Sequence, residues 1–147
     1  MRKDKRYFIG ITLCIAVYCW ACIWSSSPGR IDDILRSGSY SFSAYSCGCF
    51  GCDTNVINVK RTGSKFEASR THTEYNDDGR PRLTTEPITW DKDKEQSLQN
   101  MMHKAVNRAH TGWCTTTSVF VLYKSLYAVK ANDDACTFSE QFGNLLK

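Results

Sequence analysis

The chain has 147 residues, with 19 Lys and Arg against 15 Asp and Glu, three His and eight Cys. Its formal charge of +4 is concentrated at one end: Arg2, Lys3, Lys5 and Arg6 oppose Asp4, so the remaining 141 residues stand at only +1. A domain so close to neutrality lacks the basic face that would gather phosphates, which excludes nucleic acid as a partner.

The four cations open onto an uncharged apolar block, Phe8 to Trp24, closed by Ser25-Ser26-Ser27-Pro28-Gly29. At 17 residues this block reaches the ~17-residue minimum for a membrane span and exceeds the ~7–15 residues of a signal-peptide core. Residues 1–24 are therefore expected to be an uncleaved membrane anchor, with a cleaved signal peptide as the alternative. Trp20 and Trp24 stand where a cleavage site wants small residues, and Pro28 would follow a cut after Ser27. Lipidation at Cys22 is a third option, opposed by Cys19 and Trp20 where an aliphatic and a small residue are wanted. Positive charge stays in the cytoplasm, so residues 28–147 are expected on the extracytoplasmic, periplasmic side.

About 120 residues remain, enough for one domain. Residues 25–38 read as a linker and 39–147 as the folded unit. Ser39 to Ala44 alternates polar and apolar residues, the period of a half-buried strand. Thr54–Lys60 predicts a second strand ending at the turn residues Thr62-Gly63, and Lys65–Tyr75 a third, stopped by Asn76-Asp77-Asp78-Gly79. Pro81 and Pro87 bracket a loop or edge strand, where a missing backbone donor is tolerated.

The strongest helical signal follows. Leu98, Met101, Met102, Ala105, Val106 and Ala109 form one stripe, with Asp91, Asp93 and Glu95 before it and Gly112 as a stop. Met101 and Met102 read as core, Trp90 and Trp113 as packing at the two ends, and His103 and His110 as solvated side chains. Val119–Leu122 and Leu126–Val129 predict two strands joined near Lys124-Ser125. Thr137-Phe138-Ser139-Glu140 has capping-box spacing before a short helix carrying Phe142, Leu145 and Leu146. The fold class that follows is α+β, an antiparallel sheet packed on one long amphipathic helix.

Beyond Cys14, Cys19 and Cys22 of the N-terminal block, the domain holds Cys47, Cys49, Cys52, Cys114 and Cys136. In an oxidising compartment these are disulfide candidates. Cys114 and Cys136 flank the predicted hairpin and are expected to pair; a second bridge is expected to involve the Cys47-Gly48-Cys49-Phe50-Gly51-Cys52 loop, and the fifth cysteine is left over or pairs with Cys22 or another chain. Other readings of that loop are a thiolate metal site completed by His72, His103 or His110, a redox Cys49-x-x-Cys52 pair, or a catalytic Cys–His couple. The histidines lie at no diagnostic spacing for a metal, and strand-like sequence follows Cys52 where a redox pair needs a helix N-terminus. Nothing singles out a Cys–His couple, so no metal, cofactor or catalytic residue is assigned. Asp77-Asp78 and Asp133-Asp134 lack the spacing of a calcium loop.

Cys49-Phe50-Gly51-Cys52-Asp53, set between two strands and followed by a helix and a late hairpin, resembles a family of uncharacterised bacterial envelope proteins with a Cys-Phe-Gly-x-Cys-Pro loop. This chain is one residue shorter between the cysteines and lacks the proline. The resemblance spans residues 39–147 in order of elements and implies an envelope domain, with no catalytic residue to carry over. The expectation is a small membrane-anchored or secreted binding domain of the envelope, an inhibitor, immunity-type or accessory protein. It would hold the membrane through residues 8–24 and a protein partner through its domain. The alternative is a thiol- or metal-dependent envelope enzyme centred on Cys47, Cys49 and Cys52; a third possibility is an assembly subunit whose anchor is itself the contact.

Overall fold

A computed structural model describes residues 29–48, 51–75, 81–108, 114, 116–133 and 135–147. The apolar block 8–24, Cys22, Cys49, Trp113 and His110 lie outside the described residues. Among the described residues no helix is long and apolar enough to cross a membrane.

The elements run α1 (Gly29–Arg36), β1 (Ser39–Gly48), β2 (Gly51–Thr62), β3 (Lys65–Tyr75), β4 (Pro81–Pro87), α2 (Lys92–Asn107), β5 (Thr117–Lys124), β6 (Tyr127–Asp133) and α3 (Ser139–Leu146). The strands form one sheet in the order β4-β3-β2-β1-β5-β6, antiparallel throughout. The α+β class, the antiparallel sheet and the long amphipathic helix all stand.

The alternation in β1 sets the sheet's two faces. Tyr40, Phe42 and Ala44 are buried, and Phe42 lies opposite both Ile57 of β2 and Leu122 of β5, which in turn opposes Val129 of β6. This gives an apolar row across four strands. Onto it α1 lays Ile31, Ile34 and Leu35, α2 lays Leu98, Met101, Met102 and Ala105, and α3 lays Leu145 and Phe142. Phe42 and Phe120 stack with centroids 6.0 Å apart, and Phe142 tilts against both at 5.9 and 6.0 Å. Burying each large side chain here is worth roughly 1.5–3 kcal/mol. All three helices therefore sit on one face.

Three local features depart from the sequence-based expectation. Gly29–Arg36 lies within the expected linker yet is a helix, because Ile31, Ile34 and Leu35 at i, i+3 and i+4 reach the core. It ends at Gly38, whose φ of 77° suits a residue without Cβ. The predicted capping box does not close α3: no side chain caps it at its N-cap position, Phe138. Buried Asp133 accepts hydrogen bonds from the amides of Thr137 and Phe138 instead, at 3.0 and 2.8 Å. Leu126 belongs to the β5–β6 turn, not to a strand. The Pro-bracketed stretch resolves as β4, an exposed edge strand.

Candidate functional site

Because the helices occupy one face, the side chains of opposite parity form a second face that no described element covers. Its centre consists of Ser41, Ser43 and Tyr45 of β1, Thr54, Val56 and Asn58 of β2, Ser69, Thr71 and Thr73 of β3, and Val119, Val121 and Tyr123 of β5. Cross-strand bonds confirm the shared orientation: Ser41 Oγ donates to Asn58 Oδ1 at 2.7 Å, and the Thr71 and Thr85 hydroxyls lie 3.0 Å apart. None of these central residues is charged. Lys60, Lys65 and Glu67 stand at the end nearest the β2–β3 turn, and Lys130 lies on the edge strand β6. Tyr45 is 42% exposed, and Leu83 of β4 is 68% exposed at the rim. The centre of this face is thus a neutral mixture of Tyr, Val, Ser, Thr and Asn.

The helix-covered face turns polar towards the β1–β2 hairpin. Asn55 is buried, and its orientation is fixed by a partner that can only donate: Arg70 Nε gives a hydrogen bond to Asn55 Oδ1 at 2.8 Å, so Nδ2 faces Asp53 Oδ2 at 3.0 Å. His72 Nδ1 lies 3.1 Å from the same Asn55 oxygen and 3.0 Å from Asp53 Oδ1. Both neighbours accept, so Nδ1 carries the proton. That proton serves Asn55; Asp53 Oδ1 is buried without a hydrogen-bond donor. Arg70 also pairs with Glu86 at 3.2 Å. His72 thus belongs to a strand-to-strand polar network.

Two further clusters hold the helices, one to the sheet and one to each other. Buried Tyr40 accepts from Trp90 Nε1 at 3.1 Å and donates to Glu95 Oε2 at 3.2 Å, while Arg61 holds the other Glu95 oxygen at 3.0 Å. Burial, then the neighbouring Glu95 charge, drives the Tyr40 phenol well above its ordinary range. Trp90 is therefore a packed and bonded core residue. On the helix pair, Asp32 Oδ1 accepts from Gln99 Nε2 at 2.7 Å and lies 2.8 Å from His103 Nε2. The hydrogen bond from Gln99, followed by that from His103, holds the Asp32 carboxyl below its usual 3.8. His103, expected to be solvated, is instead half-buried and bonded across α1 and α2. An Asp on one helix facing a His on another has no signature in local spacing; only the packing of α1 reveals it.

Four cysteines are joined in two disulfides. Cys114 joins Cys136 as expected, and Cys47 joins Cys52 across the paired ends of β1 and β2. Among the described residues no group of three His, Cys, Asp or Glu could hold a metal ion. Two disulfides are the bonding state of an oxidising, extracytoplasmic compartment. Compared with known proteins, the chain matches no family model, no curated protein and no solved structure.

Proposed function

We propose that this chain is a membrane-tethered binding domain of the extracytoplasmic compartment, and that the uncovered sheet face receives a protein partner. The observation that carries this reading is the uncharged centre of that face, with Tyr45 and Tyr123 standing among valines and hydroxyls. With strands ~4.8 Å apart and ~3.3 Å per residue, six strands present on the order of 600 Å² in projection, comparable with the ~800 Å² per partner of a standard interface. Rigid Tyr side chains lose little conformational freedom on binding, and hydroxyls adapt their hydrogen bonds to the partner. An inhibitor, immunity-type or accessory factor of the envelope works in this way, and the resemblance at Cys49–Asp53 implies an envelope domain, without an activity. Residues 8–24 supply the tether, and residues 1–6 keep its start in the cytoplasm.

The test is capture from envelope extracts by the full chain and two variants. Val121→Lys places a charge in the middle of the open face, whereas Asn100→Lys places one on the exposed side of α2. The expected result is one stoichiometric partner retained by Asn100→Lys and lost by Val121→Lys, with both variants folded by circular dichroism. Retention by Val121→Lys would assign binding to another surface.

A further inference from the structure

The β5–β6 turn presents Leu126, 95% exposed, followed by Tyr127, 55% exposed. Lys124 and Tyr127 pair across the hairpin and face α1. There the Arg30 guanidinium lies 4.9 Å from the centroid of the Tyr127 ring. Arg30, Asp33, Ile34, Ser37, Lys124 and Tyr127 line a cavity of about 370 Å³ beneath the turn. The register places the β2–β3 turn at the same end, adding the exposed cations Lys60 and Lys65 beside Glu67. An apolar tip, an aromatic ring and surrounding cations are the side chains that settle at a membrane–water boundary, where rings sit among headgroups and cations meet anionic lipid.

The chain's own order brings a membrane to this end. Only residues 25–28 separate Trp24, the last residue of the apolar block, from Gly29, the first of α1. The five Cα steps from Trp24 to Gly29 span at most ~18 Å when extended. The first turn of α1, which touches Tyr127 through Arg30, is thus held within that distance of the outer end of the apolar block.

We infer that the β5–β6 turn rests on the headgroup layer of an anionic bilayer, Leu126 entering the acyl boundary and Arg30 and Lys124 meeting lipid phosphates. This rests on the reading of residues 8–24 as a tether. The strands then rise from the membrane, with the Cys47–Cys52 end of the sheet outermost and the open face standing clear for a partner.

The full chain, reconstituted into vesicles of equal parts phosphatidylglycerol and phosphatidylcholine, tests this through quenching of Leu126→Trp by brominated lipids. The background is that of the unsubstituted chain, and Asn132→Trp, an exposed position near the opposite end of β6, is the control. Leu126→Trp is expected to lose more than half of its added emission and Asn132→Trp almost none, with weaker quenching in phosphatidylcholine alone. A chain that floats with the vesicles while Leu126→Trp stays unquenched overturns the docking and leaves the tether intact. A chain that does not float overturns the tether and the docking with it. Equal quenching in the neutral vesicles overturns the role given to Arg30 and Lys124.

Discussion

The two faces of the sheet share a backbone and differ in everything attached to it. The covered face carries Phe42, Ile57, Phe120 and Leu122, large side chains that three helices seal from water. The open face carries Val56, Val119, Val121 and a field of Ser and Thr, which suit a pleated strand but bury little on their own. Stability is vested in the helix side; under the proposed reading the uncharged centre of the other face is free to serve recognition, and its substitutions should leave the fold intact.

The sharpest way to break this comparison is to truncate one residue on each side of β5. Phe120→Ala should lower unfolding free energy by about 3–5 kcal/mol, whereas Val121→Ala should cost less than about 1 kcal/mol, both read from denaturant midpoints. Equal losses would mean that the open face is also core. The disulfides come next. Replacing Cys114 and Cys136 together by Ser releases a bridge with a sequence separation of 22, and loop-closure entropy puts the loss at about 3 kcal/mol. The corresponding pair at Cys47 and Cys52, separated by five, should cost about 2 kcal/mol. Reversal of that order would contradict the entropic account.

The smallest effect is electrostatic. Asp32 titrates below its usual 3.8 in the folded chain because Gln99 and His103 bond its charged form. A depressed folded value contributes stability that is present above the unfolded value and lost as pH falls through the folded one. Unfolding midpoints should therefore fall more steeply below about pH 4 for the parent than for Asp32→Asn. Parallel curves would show that the α1–α2 contact carries no pH dependence.

The strands and turns were legible because alternation and turn chemistry act within a few residues; Ser39–Ala44 and Thr62-Gly63 both announce themselves. The pairing of Cys114 with Cys136 was legible because the hairpin between them brings its ends together. Other features needed tertiary contact to appear. The helix at Gly29–Arg36 is too short to stand without packing, and the Ser-Pro-Gly run before it reads as linker. Asp133 caps α3 from the preceding strand, a substitute for the local Thr137 motif that spacing alone favours. The open face was implicit in the polar half of each alternation, but its uncharged character emerges only when registry brings the halves of several strands together.

Hydroxyl-radical footprinting of the vesicle-bound chain, with and without its captured partner, tests the central claim most directly. Tyr45 and Tyr123 lie on the open face, while Tyr127 lies at the turn beside α1. The account predicts that the partner protects Tyr45 and Tyr123 and leaves the labelling of Tyr127 unchanged. Protection of Tyr127 with Tyr45 and Tyr123 still labelled would contradict it.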